Sequence, residues 1–266
     1  INLYFINLQP SELMKAFIIL CLAKYFHRMK IENVNSIYTI LTSLIIIILP
    51  MGLVIVQPDL GTSVLIAISG IAVLWFAGVN HKYFIYTLLG FVISLPFIIA
   101  FLKPYQKLRV LTFLNPDRDP LGAGYHITQS KIALGSGGLF GRGYMQGSQS
   151  QLNFLPEKHT DFIFTTLAEE FGFFGTIGLL IIYSLIVAFC IFSALATTDK
   201  FSRLLITGLC MTFFTYFSIN IAMVMGLLPV VGIPLPLVSY GGSSMIVIML
   251  SFGLIQSAHV HNNNRF

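Results

Sequence analysis

Residues 37–56 read IYTILTSLIIIILPMGLVIV and contain no charged side chain. At about 1.5 Å per residue such a run makes a helix about 30 Å long, the thickness of the hydrocarbon core of a bilayer. The run is continuously apolar rather than alternating, so it does not read as a strand of a membrane β-barrel.

Working outward, six more windows of this kind occur, at 10–26, 60–79, 83–102, 162–196, 204–228 and 237–258. The expected fold is all-α: a polytopic helical membrane protein with about seven transmembrane helices and one large extracytoplasmic loop, 103–161. The window 162–196 exceeds one crossing, so its first turns are expected outside the hydrocarbon core. Composition agrees, with 56% of the 266 residues apolar and 9% charged, against about 25% charged in soluble domains. An ordinary cytosolic enzyme, a disordered chain and a disulfide-stapled secreted module are excluded.

Fifteen Lys and Arg against ten Asp and Glu leave a charge of +5. No basic run is long enough for a nucleic-acid arm, so the excess is read as membrane topology. The short connections 27–30, 80–82 and 199–203, with Arg265, carry the basic residues of one side, which the positive-inside rule assigns to the cytoplasm. The segment 57–59, the proline-rich turn 229–236 and the loop 103–161 then face the other side. Cys21, Cys190 and Cys210 lie in apolar stretches without metal-ligand spacing and read as small buried hydrophobes. No internal repeat is evident. The chain starts at Ile1 and reads as beginning part-way through a longer protein.

With so few charges, each one in or beside a window is informative. Glu12 and Lys15 stand three apart on one helix face, and either alone would cost about 2.5–3.5 kcal/mol at mid-membrane, so they are expected to pair. Spacing leaves two readings open: an interfacial pair with Lys15 snorkelling, or the polar wall of a substrate groove.

The loop 103–161 is rich in aromatics, Leu and Ile and is expected to be ordered. It sets Lys103, Lys107, Arg109, Arg118, Lys131, Arg142 and Lys158 against Asp117, Asp119, Glu157 and Asp161. That balance suits an anionic ligand or lipid head group at the membrane surface, and equally a solvated basic face. Its glycine-dense segment GSGGLFGRG, 135–143, could bring backbone N–H groups to a phosphate, but it does not fit GxxxxGK[ST], so a tightly turned connector is the default. Asp117 and Asp119, each beside a proline, read as turn residues. In LPEKHTD, 155–161, a helix would set Glu157 four before Asp161 and Lys158 three before it, a general-base arrangement; the other reading is Asp161 as cap of the next helix, with Thr166 to Glu169 also matching a capping box. Three prolines and a glycine pair in 229–244 read as a rigid re-entrant or broken-helix segment facing protein or a cavity, or as an ordinary turn.

QPSELMK at 9–15, QPDLGTS at 57–63, DPLGAGYH at 119–126 followed by Gln129, Ser130 and Lys131, LPEKHTDF at 155–162 and the segment 234–243 together resemble the SEDS family (shape, elongation, division and sporulation), in order along essentially the whole chain. The loop is more similar to the RodA-like elongation branch than to the FtsW-like division branch. The resemblance implies a single SEDS-type integral membrane domain over 1–266, with about three of the family's ten helices lying N-terminal to this sequence. It also implies a peptidoglycan glycosyltransferase of the bacterial inner membrane, polymerising lipid II into glycan strands for cell-wall elongation and rod shape. Its implied partners are a class B penicillin-binding protein, the elongation machinery and membrane lipids.

Carried over by motif, the catalytic residue is Asp161, and Glu12 and Lys15 belong to the substrate-binding set. Asp161 would accept the proton of the acceptor 4-hydroxyl while undecaprenyl pyrophosphate leaves with inversion. Lys131, Arg142 and Lys158 are expected to steady the departing pyrophosphate. A divalent cation at the pyrophosphate is compatible with this chemistry, with no ligand cluster in the sequence to hold it. A lipid II flippase, or a non-catalytic scaffold for the penicillin-binding protein, remain alternatives at this stage.

Overall fold

The computed structural model describes residues 9–101, 104–116, 119, 122–152 and 159–263. Among the described residues the chain is helical with irregular connections and no strand. In order it forms α1 (Pro10–Arg28), a 3₁₀ turn (Ile31–Asn33), α2 (Ile37–Val56), α3 (Leu60–Phe76), α4 (His81–Phe101), α5 (Pro104–Leu114), α6 (Ala123–Ser136), α7 (Ser148–Gln151), α8 (Ile163–Ala196), α9 (Lys200–Val224) and α10 (Gly242–Asn263). Each of the seven apolar windows holds one of these helices. Among the described residues α2, α8, α9 and residues 242–261 of α10 are long and apolar enough to cross a membrane, and α3 is a shorter apolar helix.

Two helix starts differ from the hydropathy windows by four residues or more, each for a local reason. α9 begins at Lys200 rather than at 204, because the Asp199 carboxylate accepts the Ser202 N–H at 3.0 Å and its hydroxyl at 2.9 Å, a cap that starts the helix before its apolar run. α10 begins at Gly242 rather than at 237, because the residues before it are tied into the proline-rich segment described below.

The chain divides into two compact units. One comprises Ile1–His81, Ser184–Tyr216 and Gly241–Phe266; the other comprises Lys82–Tyr183 and Phe217–Tyr240. In the first, α1 packs on α3 and α10, and α2 packs on α3. Ile19, Leu22 and Phe26 of α1 and Leu65, Ile66 and Val73 of α3 are buried there. Small residues bring the helices close: a Cβ on Gly208 of α9 would lie 2.6 Å from Ile19 and 2.7 Å from Val73. Thr212 of α9 donates to Ser69 of α3 at 3.0 Å. Between Val187, Cys190 and Ala194 of α8 and Leu204, Thr207 and Cys210 of α9 runs an apolar groove of about 400 Å³, a lining suited to hydrocarbon rather than to a water-soluble ligand.

The second unit holds α5, α6 and α7 from the long loop, whose described part is thus largely helical. It also contains a break in α8. Gly172 has φ 66 and ψ −160, a left-handed conformation that glycine adopts without the steric cost a Cβ would bring. Breaking a helix frees backbone groups that apolar surroundings cannot satisfy. The glycine-dense segment supplies the partners. Arg142 N–H donates to Glu169 O at 2.9 Å and Gly143 N–H to Glu170 O at 3.0 Å, while Phe173 and Phe174 N–H donate to Gly138 O at 2.9 Å and Leu139 O at 3.2 Å.

The outward surface completes the membrane reading. On α2 Ile45, Ile48, Leu49 and Leu53 are exposed, and on α4 Leu88, Leu89, Phe91, Val92 and Ile93. Patches of this size are not tolerated in water. The chain is a multi-pass helical membrane protein.

Candidate functional site

Two polar clusters stand out against this apolar background, one in each unit. The first is on α1. Lys15 Nζ donates to Glu12 Oε1 at 2.7 Å. Tyr216 of α9 donates its hydroxyl to Glu12 Oε2 at 2.6 Å, and Lys15 Nζ also reaches the Tyr216 hydroxyl. The Lys15 ammonium lies 4.3 Å from the centre of the Tyr216 ring. Lys15 is 1% exposed, so it does not snorkel to an interface: its ammonium is enclosed by protein and neutralised in place. A cavity of about 20 Å³ beside Lys15 and Tyr216 is near the size of one water.

Three sequence motifs meet at the start of this helix. Gln9 Nε2 donates to Asp59 Oδ2 at 3.1 Å, and the Gln9 N–H donates to Ser243 Oγ at 3.2 Å. Asp59 in turn caps α3 through the Thr62 N–H at 3.0 Å.

The second cluster surrounds Asp161, in the turn that leads into α8. Three successive main-chain carbonyls are held from elsewhere in the unit. His159 O accepts the Tyr240 N–H at 2.9 Å, Thr160 O accepts Ser239 Oγ–H at 2.5 Å, and Asp161 O accepts Asn220 Nδ2–H at 2.8 Å. The half-buried Asp161 side chain faces Gly232, where an added Cβ would lie 3.3 Å from Asp161 Oδ2. Gly232 has φ 72, so a side chain there would be strained as well as crowded.

The partner segment is itself fixed. Leu235 N–H donates to Ser239 Oγ at 2.7 Å, Asn220 Nδ2 also donates to Ile233 O at 2.6 Å, and the Tyr183 hydroxyl donates to Pro236 O. Ile233, Leu235 and Ser239 are buried. The prolines 229–236 thus belong to a packed, non-helical segment rather than to an ordinary turn.

The loop cations divide. Lys131 on α6 is exposed; its stem lies over Gly226, where a Cβ would approach Lys131 Nζ to 2.8 Å. The preceding Ser130 is buried and joins three elements, pairing with Thr165 Oγ1 at 2.9 Å and donating to Val224 O at 2.8 Å. Arg142 turns instead onto the connector, with Nη1 on Ser148 Oγ at 3.0 Å. Its backbone N–H, with that of Gly143, is spent on the α8 break, so the glycine segment is a connector. Glu169 lies inside α8 and accepts Ser148 Oγ–H at 3.3 Å and Gln149 N–H at 2.9 Å, which replaces the capping-box reading. Asp119 sits in a turn, its N–H on Pro116 O at 3.2 Å and its carbonyl accepting the Tyr125 N–H at 3.2 Å. Lys158, Glu157 and Asp117 lie outside the described residues. Among the described residues no three His, Cys, Asp or Glu side chains gather as a metal-binding group.

Comparison with known proteins gives this arrangement its context. The cell cycle protein family of FtsW, RodA and SpoVE matches residues 1–264. The chain belongs to this family. Peptidoglycan glycosyltransferase MrdB of Escherichia coli (strain K12) is 45% identical over 266 residues, covering 98% of this chain and 70% of the relative. Peptidoglycan glycosyltransferase MrdB of Helicobacter pylori (strain J99) is 39% identical over 259 residues, 95% of this chain and 65% of the relative. Among solved structures, a peptidoglycan synthase complex described as coordinating polymerization and crosslinking aligns with TM-score 0.80 and 31% identity over 96% of this chain and 70% of that one. The rod shape determining protein RodA of Thermus thermophilus aligns with TM-score 0.66 and 26% identity over 96% of this chain and 66% of that one.

Asn220, Tyr216 and Ser239 are the members of these clusters that the sequence reading missed. Asn220 and Tyr216 had one available signal: a carboxamide and a phenol inside an apolar window must find partners.

Proposed function

We propose that this chain is a peptidoglycan glycosyltransferase that polymerises lipid II into glycan strands, with Asp161 as the general base. The observation that carries the reading is the fixation of Asp161: its own carbonyl and the two before it are hydrogen-bonded, and its carboxylate is turned to the Gly232 backbone at the mouth of α8. A base held this way meets an incoming hydroxyl without first paying to be ordered.

In the proposed step the acceptor 4-hydroxyl gives its proton to Asp161 while its oxygen bonds to the anomeric carbon of the donor. The bond from that carbon to the pyrophosphate oxygen breaks, the configuration inverts, and undecaprenyl pyrophosphate departs. Pyrophosphate is a good leaving group, so no second carboxylate is needed as an acid. Lys131, exposed and meeting no carboxylate among the described residues, suits the charge that develops on the leaving group. Arg142 and Lys158 remain members of the same basic loop, with Arg142 acting through the connector it holds. The buried lock of Glu12, Lys15 and Tyr216 fixes α1 to α9 within the first unit.

Likeness to a peptidoglycan synthase complex that coordinates polymerization and crosslinking supports a crosslinking partner, for which a class B penicillin-binding protein is the proposed type. The basic connections 27–30, 80–82 and 199–203 support a bacterial inner-membrane orientation that places 103–161 outside the cytoplasm, where lipid II sugars are joined. The test is incubation of the purified full-length protein and its partner with lipid II. Glycan strands resolved by electrophoresis are the expected product; lipid II translocated in vesicles with no polymer would overturn polymerisation in favour of transport.

A further inference from the structure

We propose that Asn220 is the positioning residue for Asp161, setting the base by tying the main chain of Asp161 to the main chain next to Gly232, which its carboxylate faces. The proposal rests on the reading of Asp161 as the base. Asn220 is fully buried near the end of α9, among Ile221, Met223 and Val224, which are buried too. Packing alone asks for a leucine or isoleucine there. A carboxamide in such a place is retained only with hydrogen-bond partners.

Both of its donor bonds leave its own helix. One goes to the carbonyl of Asp161 at 2.8 Å and the other to the carbonyl of Ile233 at 2.6 Å. Since both partners are carbonyl oxygens, only the NH₂ end can face them, which fixes the amide orientation. Ile233 follows Gly232, the residue that the Asp161 carboxylate faces. One amide therefore ties the backbone that carries the carboxylate to the backbone beside the glycine that the carboxylate faces. Four residues on along α9, Val224 O receives Ser130 Oγ–H at 2.8 Å, and Gly226 seats Lys131. The proposed base and the proposed pyrophosphate cation are thus both referenced to the last turns of α9.

The contrast to exclude is that Asn220 merely satisfies two buried carbonyls and holds the fold together. A fold role lowers stability, partner binding and every activity alike. A positioning role lowers turnover through Asp161 alone.

The experiment compares Asn220→Ala, Asp161→Asn and the double variant in the full-length protein with its partner, on lipid II. Expected for Asn220→Ala is a fall in kcat approaching about 100-fold, with KM for lipid II and partner binding unchanged. In the Asp161→Asn background the same change should cost nothing further. Hydrogen exchange of Asn220→Ala should quicken together in 159–163 and 233–240 and stay unchanged in α1 and α3; this and the kcat effect decide the matter if Asp161→Asn leaves no measurable rate.

Wild-type turnover in Asn220→Ala, an equal fold-loss in both Asp161 backgrounds, or unchanged exchange in those two segments overturns the proposal. If Asp161→Asn polymerises normally, the base assignment falls and this proposal with it. If Asp161→Asn is inactive and Asn220→Ala is normal, only the role of Asn220 falls.

Discussion

Lys15 is the residue whose removal should be felt most in the stability of the fold. It is buried against Glu12 and Tyr216, and deleting one member of a buried ion pair leaves the other charge uncompensated. Lys15→Met is therefore expected to destabilise by about 3–5 kcal/mol, read as a lower thermal unfolding midpoint in detergent. Lys15→Met combined with Glu12→Gln should recover part of that loss; a double variant no better than the single one would contradict the pairing. The i,i+3 spacing made Glu12 and Lys15 legible as a pair, because helix geometry is local. Tyr216 was not legible, since it lies 204 positions from Glu12, and only packing of α9 near α1 brings them together. Asp161 shows the same division. Its motif drew attention to it, but its partners Asn220 and Ser239 are 59 and 79 positions from the carbonyls they hold.

At the scale of elements, the break in α8 and the glycine-dense connector are one device. The sequence showed that 162–196 was too long for a single crossing and that 135–143 was rich in glycine, yet nothing in the spacing linked the two. Their link is four backbone hydrogen bonds between 138–143 and 169–174. Gly172→Ala should cost about 1–3 kcal/mol from the left-handed conformation alone, and it would also crowd Leu139, whose carbonyl lies against Gly172. Hydrogen exchange should rise at 137–143 and 169–174 together; a rise confined to one segment would contradict the coupling. The helix starts at 200 and 242 escaped the hydropathy reading for a similar reason. A carboxylate cap sets the first, and hydropathy does not register a cap; before the second, the docked proline segment is itself apolar and so carries the hydropathy run ahead of the helix start.

For the whole molecule, the fold class was the most legible property, because a bilayer imposes it through composition and run length. Division into two compact units was not legible: α8 and α9 each run through both units without any change of pattern at 183–184 or 216–217. Sidedness is open to direct test. With native cysteines replaced, Met145→Cys in the long loop should react with a membrane-impermeant maleimide on intact spheroplasts, and Lys30→Cys should react only after permeabilisation. The reverse pattern would invert the proposed orientation and remove the extracytoplasmic site.

The central claim is that this membrane enzyme joins lipid II units through Asp161. Its most direct test is the rate of glycan polymerisation by the full-length protein with its partner, wild type against Asp161→Asn, in preparations matched for folding and partner binding. The account predicts strands from the wild type and a loss of at least about 100-fold in the variant, within the range general-base catalysis contributes. Undiminished polymer from Asp161→Asn would contradict it.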